Sequence, residues 1–270
     1  MNKDFLNKIE KSHPVYKIEG NEKQKTIYFK IGKQNILPGQ FYMLSYNISQ
    51  KPFSVSYYNN GVVGFTIEDR GETSKKMINT AVGDYFGLTG PLGSNFKLNN
   101  YEKFLIIGGG IGIAPLLYLS NYIIKKRKKA DILFGGKDKN ILEFTKNIKK
   151  TNNLTINIYS EDGSIGDKGL VTKDLDTFIN KKKYDSACIC GPEIMMNIVI
   201  DKIKAKIKNI QVCMERYMKC GLGICGTCSL DYTGDRVCVE GPVFQYNESL
   251  INCKEFGNYH RNCNGIIEKF

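Results

Sequence analysis

Short apolar segments broken by turn residues fill residues 1–100. Thr26–Ile31, Gln40–Tyr46, Phe53–Tyr58 and Val62–Glu68 read as strands. Asn59-Asn60-Gly61 is the expected hairpin turn between the last two. One short helix is expected at about Ser74–Ala81, and Gly83-Asp84, Gly90-Pro91 and Gly93 punctuate the end of the region. An antiparallel barrel or sandwich is the natural sum of these pieces.

From Phe104 the period changes. Strands are expected at Phe104–Ile107, Ile132–Phe134, Leu154–Tyr159 and Ala187–Cys190. Helices are expected near Ala114–Lys126, Leu142–Lys149, Val171–Asn180 and Glu193–Ile207. Short apolar strands alternating with helices imply a doubly wound parallel sheet, an α/β half following the β-barrel. After Gln211 the period disappears, and cysteine and glycine take over. A small cysteine-rich, metal-stabilised appendage is the economical reading there. The expected divisions are 1–100, 101–211 and 212–270.

The length of 270 residues suits this plan of two compact domains with an appendage. The chain is 41% hydrophobic and 24% charged, which excludes a disordered or fibrous protein. A net charge of +12 raises a nucleic-acid partner. The lysines are dispersed, however, and the run Lys125–Lys129 falls where a helix would end and cations are favoured. Aromatic residues are not interleaved with the basic runs, so a solvated surface and no nucleic acid are expected. Phe104–Leu119 is the most apolar stretch, yet its 16 residues carry four glycines and a proline, too short and too broken to span a membrane. The first residues lead into no apolar signal core. A cytoplasmic protein with reduced thiols is the expectation.

Nine cysteines stand against two histidines, His13 and His260, which nearly excludes histidine-based metal catalysis. Five of the nine lie between Cys213 and Cys238. Cys220, Cys225 and Cys228 have the spacing C-x4-C-x2-C, with Cys238 a short way downstream, which is the plant-type [2Fe–2S] pattern. Gly221, Gly223 and Gly226 would let the loop wrap closely and aim N–H groups at an anionic cluster. Ser229–Tyr232 and Arg236–Val239 read as a hairpin that returns Cys238 to the loop. A structural four-cysteine zinc site, or four unrelated thiols, are the alternatives. Cys213 reads as a buried thiol and as the substitute ligand should one assignment fail.

Two further constellations follow predicted strands. Gly108-Gly109-Gly110-Ile111-Gly112 leads from a strand into a helix whose N–H groups can hold a pyrophosphate, or it serves packing alone. Cys190-Gly191-Pro192-Glu193 ends the last strand of the α/β half, where ligands bind in such sheets. Glu161-Asp162-Gly163-Ser164 could face the same crevice. In the barrel half, Lys51-Pro52-Phe53-Ser54 and Arg70-Gly71-Glu72-Thr73-Ser74 form a weaker pair, with Thr73 or Ser74 as a helix cap or a phosphate contact.

Together these motifs resemble the ferredoxin–NADP reductase superfamily. The cysteine module narrows the resemblance: Met214-Glu215-x-x-Met218-x-Cys220, then Val237-Cys238-x-x-Gly241-Pro242-Val243-Phe244, is similar to electron-transfer subunits of type B dihydroorotate dehydrogenase. That resemblance implies FAD held by Lys51, Pro52, Phe53, Ser54, Gly71, Thr73 and Ser74. It implies NAD held by Gly109, Gly110, Gly112, Gly191 and Pro192, with Cys190 beside the nicotinamide in a catalytic position. It implies a [2Fe–2S] cluster on Cys220, Cys225, Cys228 and Cys238, and an FMN-containing dihydroorotate dehydrogenase catalytic subunit as partner. The small subunit of an NAD(P)H–ferredoxin oxidoreductase or sulfide dehydrogenase shares most of these motifs, and a zinc-stapled nucleic-acid-binding protein is a distant alternative. Three positions depart from the family pattern: Lys51 replaces an arginine, Glu72 stands near the expected pyrophosphate, and a long tail follows Phe244 with Cys253 and Cys263.

Overall fold

The computed structural model describes residues 10–149, 151–262 and 264–269, so Cys263 lies outside the described residues. Six antiparallel strands close a barrel: β1 (Lys11–Gly20), β2 (Gln24–Lys30), β3 (Phe41–Tyr46), β4 (Ser49–Asn59), β5 (Val62–Glu68) and β6 (Tyr85–Leu92), in the order β1-β2-β5-β4-β3-β6. Alternate side chains, among them Ile27, Phe29, Leu44, Val55, Phe65 and Phe86, point inward and fill it. Two of these strands were not legible as strands. In β1 only Val15 is buried, so the strand carries no alternation. In β6 the residues Gly90 and Pro91 mimic a turn, but Gly90 is a packing residue whose missing Cβ makes room for the Tyr42 ring. Helix α1 (Glu72–Ile78) covers the barrel with Met77 and Ile78.

The second half is a seven-stranded sheet in the order β10-β9-β8-β7-β11-β12-β13. Its strands are β7 (Lys103–Gly109), β8 (Lys129–Gly136), β9 (Leu154–Ser160), β10 (Asp167–Lys168), β11 (Ser186–Cys190), β12 (Asn209–Cys213) and β13 (Val243–Gln245). All pair in parallel except β13, which adds antiparallel to β12. Helix α2 (Ile113–Lys125) lies on one face, and α4 (Leu175–Lys181) and α5 (Glu193–Ile203) on the other, each with its own apolar layer. The sheet is doubly wound as expected. The helix expected at Leu142–Lys149 is instead a short α3 (Lys139–Leu142) running into a 3-10 turn at Glu143–Asn147. The Asp138 carboxylate draws the start forward by accepting from the N–H groups of Asn140 at 2.7 Å and Ile141 at 3.1 Å.

From β7 the chain winds outward through β8, β9 and β10, then returns to the other side of β7 for β11 and β12. The reversal between β7 and β11 opens a crevice at their carboxyl ends. The two halves are stitched nearby. Tyr118 of α2 donates from its hydroxyl to the Ile36 carbonyl at 2.7 Å. Gln211 of β12, 1% exposed, accepts from the Lys97 N–H at 2.6 Å and donates to the Lys97 carbonyl at 2.9 Å. Replacing it by leucine strands those partners, so Gln211→Leu is expected to lower stability by about 1–3 kcal/mol. Urea unfolding followed by circular dichroism measures the loss, and a midpoint equal to wild type would contradict the stitch.

The last residues form α6 (Glu248–Ile251) and a two-stranded pair, β14 (Tyr259–Arg261) with β15 (Ile267–Lys269). Among the described residues no helix is long and apolar enough to cross a membrane.

Candidate functional site

Two glycine-bearing turns meet in the crevice. The first, Gly109–Gly112, follows β7 and enters α2, and the second, Cys190-Gly191-Pro192, follows β11 and enters α5. A Cβ on Gly112 would lie 2.5 Å from the Gly191 Cα, and one on Gly109 would lie 2.5 Å from the Met195 sulfur. These glycines let the two turns touch. Gly110 differs: its φ is 55° and nothing lies within 4 Å of where a Cβ would stand. Of the three, Gly110 is the one that offers backbone to an incoming ligand. Pro192 caps α5, as its fixed φ suits.

Cys190 closes the strand but is only 8% exposed. It stands in register with Cys213 on β12. Contact with the Cys213 thiol, followed by burial, holds Cys190 well above the ordinary thiol range. Such surroundings favour the thiol over the thiolate. Cys213 is therefore a sheet residue, as its reading as a buried thiol anticipated.

On the barrel side, Lys51–Ser54 lie on β4, half-buried, beside β3. The helix expected from Ser74 starts two residues earlier, at Glu72, and its N-cap Gly71 carries no side-chain cap. Thr73 and Ser74 therefore fall inside the first turn, and neither caps the helix. The Ser74 hydroxyl accepts from the Arg70 N–H at 2.9 Å and donates to the Gly71 carbonyl at 3.0 Å. Glu72, the acidic departure, is exposed and engaged by Lys76 at 2.6 Å. Nothing lies within 4 Å of a Cβ placed on Gly71, leaving an open cradle at the start of α1.

The cysteine loop lies against the barrel. A Cβ on Gly221 would meet the Met43 Cγ at 2.6 Å and the Leu92 Cδ1 at 3.3 Å. Gly221, Gly223 and Gly226 have φ of 67°, 77° and 68°, which glycine adopts without strain. The expected hairpin is reduced to one backbone bridge, Ser229 with Arg236, because Tyr232 takes a φ of 72° and the intervening chain turns too tightly for a ladder. The bridge still returns Cys238 to the loop.

The four thiols stand as two pairs. Thr227 donates from its hydroxyl and its N–H to Cys225, lowering that thiol to about 6, and Cys220 also contacts it. Cys238 donates to Cys228, which falls to about 6 while Cys238 rises. Among the described residues no three His, Cys, Asp or Glu side chains converge on one metal-ion position. A cluster with two irons would take two thiolates on each iron.

Residues 215–249 match the family model described as the iron–sulfur cluster binding domain of dihydroorotate dehydrogenase B, and residues 106–201 match the oxidoreductase NAD-binding domain. A probable electron-transfer subunit of NAD+-dependent dihydroorotate dehydrogenase B from Methanocaldococcus jannaschii is 38% identical over 84% of this chain and 86% of its own length. The chain belongs to this family of electron-transfer subunits. The dihydroorotate dehydrogenase B electron-transfer subunit of Clostridium acetobutylicum is 32% identical over 90% of this chain and all of its own length. Among solved structures, an NADH-dependent reduced ferredoxin–NADP oxidoreductase superposes with a TM-score of 0.74 at 24% identity over 86% of this chain and 87% of its own. The ferredoxin reductase of carbazole 1,9a-dioxygenase follows at 0.64, with 19% identity over 73% and 66% of the two chains.

Within the family frame, three contributing residues were not singled out from sequence. Thr227 tunes Cys225 from inside the C-x2-C spacing, a signal hidden by the cysteines around it. Arg236 donates to the Gly223 carbonyl at 2.8 Å and braces the loop. Tyr217 takes the Lys51 ammonium over its ring, 4.8 Å from the centroid. Glu161–Ser164 end in a local turn, with Ser164 bonded to Asp162 and to the Lys139 N–H, outside the meeting of the two glycine turns.

Proposed function

We propose that this chain carries electrons from an FMN-containing, dihydroorotate-oxidising catalytic subunit to NAD+, in a cytoplasmic setting where thiols stay reduced. When bound, thiolate-held iron passes electrons singly, FAD exchanges one or two, and NAD+ takes a hydride. Cys220 and Cys225 would hold one iron, and Cys228 and Cys238 the other. Lys51 supplies a cation, and Ser54 a hydroxyl, to a flavin seated along β4. Pro52, Phe53, Gly71, Thr73 and Ser74 complete that seat. Gly110 presents backbone to the nucleotide, while Gly109, Gly112, Gly191 and Pro192 fix the turns around it. Cys190 lines the crevice as a buried thiol beside Cys213.

The observation that carries this reading is the contact of Lys51 with Tyr217. It joins the flavin segment to the stretch that leads into Cys220, so the one-electron and two-electron sites share a wall.

Anaerobic purification tests it. The expected result is bound FAD with about two irons and two sulfides per chain, as a plant-type cluster requires. Stoichiometric zinc without flavin would overturn it. Co-purification with an FMN protein that oxidises dihydroorotate separates this role from that of a ferredoxin or sulfide oxidoreductase subunit.

A further inference from the structure

The tail beyond Phe244 is the largest feature the proposed function leaves without a task. It does not trail away. Leu250, Cys253 and Phe256 share one apolar core with Met214, Met218, Cys228, Leu230 and Cys238. The Asp231 carboxylate, three residues past Cys228, accepts from the Cys253 thiol at 2.8 Å and from the N–H groups of Lys254 at 3.0 Å and Glu255 at 3.3 Å. The tail is thus bonded to the cysteine loop along several residues.

It is also bonded to the nucleotide crevice through buried charge. Arg216, with its side chain 3% exposed, lies between the end of β12 and Cys220. Its guanidinium donates to the carboxylate of Glu193, the first residue of α5, directly after Cys190-Gly191-Pro192. On its other side the tail's Glu255, 1% exposed, lies 3.5 Å from the Arg216 Nε. Glu193 accepts a second bond from the Gly257 N–H at 2.9 Å, and Arg261 balances Glu255 at 3.1 Å. Two cations and two carboxylates therefore interlock where neither sign could be buried alone.

Buried ion networks are poor sources of stability compared with apolar packing of the same volume, but they demand one geometry. We propose that residues 247–261 are a strap that sets the cysteine loop against the nucleotide crevice, with Arg216 and Glu255 as positioning residues for electron passage between the cluster and the flavin. The proposal rests on the assignment of Cys220, Cys225, Cys228 and Cys238 as cluster ligands. Arg216 touches no reacting atom. It acts by fixing, at one end, the turn beside Gly191 and, at the other, the approach to Cys220. The strap lies largely beyond residue 249, where the match to the cluster-binding family model ends.

The test uses the full-length, anaerobically loaded protein with the variants E255Q and R216K. Iron, sulfide and flavin are assayed first. A wild type lacking iron or flavin defeats the proposed function itself, whereas the strap is judged only on loaded protein. NADH then reduces the flavin, and cluster reduction is followed by freeze-quench paramagnetic resonance. In E255Q, flavin reduction is expected to stay within about twofold of wild type while cluster reduction slows about tenfold or more, since small misplacements are costly in positioned reactions. Hydrogen exchange is expected to rise together over residues 214–231 and 253–257. R216K keeps the charge but loses the planar fork, so it should shift both readouts in the same direction by less. Exchange that rises in the tail alone, or cluster reduction at the wild-type rate in both variants, overturns the strap. Should E255Q fail to fold, R216K decides the matter on the same two readouts.

Discussion

Cys225→Ser is expected to strip the iron from the protein while FAD remains bound. Cys225 is the exposed member of its pair, and its thiol is held near 6 by two donors from Thr227, so it is well prepared to enter as a thiolate. A serine hydroxyl ionises far less readily and is a harder ligand, poorly matched to a cluster that uses cysteine thiolates. The barrel core is formed by other residues and should not respond. Iron and sulfide analysis, with the flavin absorbance as internal reference, measures both halves of the expectation. A variant that keeps a full [2Fe–2S] signal would mean that a residue other than Cys225 is the ligand.

Gly112→Val is expected to abolish reduction of the flavin by NADH while the cluster and the flavin stay in place. The position has an ordinary helical φ of -60°, so backbone strain is not the cause. The cause is space. A Cβ there would stand 2.5 Å from the Gly191 Cα and 2.6 Å from its nitrogen, and backbone cannot give way as a flexible side chain would. The two turns must separate, and Gly110 moves with them. Misplacement on the scale of an ångström costs on the order of a hundredfold in a reaction that relies on positioning. Stopped-flow reduction by NADH reads the effect, and a rate within a factor of about three of wild type would show that the crevice is not the nucleotide site. Gly110→Ala is the informative companion. Its Cβ meets nothing, so any loss there reports on the ligand or on the positive φ.

Both candidate sites were visible in the sequence because their chemistry is written in spacing. The four cysteines and their glycines lie within nineteen consecutive residues, from Cys220 to Cys238, and the glycine turn directly follows an unbroken apolar strand. The doubly wound half was legible for the same reason: buried parallel strands announce themselves as apolar runs. What escaped depended on distant partners. β1 looks polar because most of its residues face solvent, and it is a strand only because β2 and β6 pair with it. β6 looks like a turn because Gly90 answers to Tyr42, 48 positions away. Glu193, Arg216 and Glu255 are three ordinary charges in the sequence. Only the fold reveals that they are buried together.

The edge strand β13 bears on how the molecule is made. Val243 accepts from and donates to the Ser94 hydroxyl, at 2.8 and 3.0 Å, across 149 positions of chain. Contacts of such separation form late, because a long loop must close before they yield anything. While the chain is being synthesised, the barrel is complete long before its neighbour arrives, and the outer edge of β12 stays unpaired until residue 243 has emerged. A nascent chain halted before residue 243 has emerged would present a closed barrel beside an unclosed sheet, an exposed edge that invites aggregation or chaperone capture.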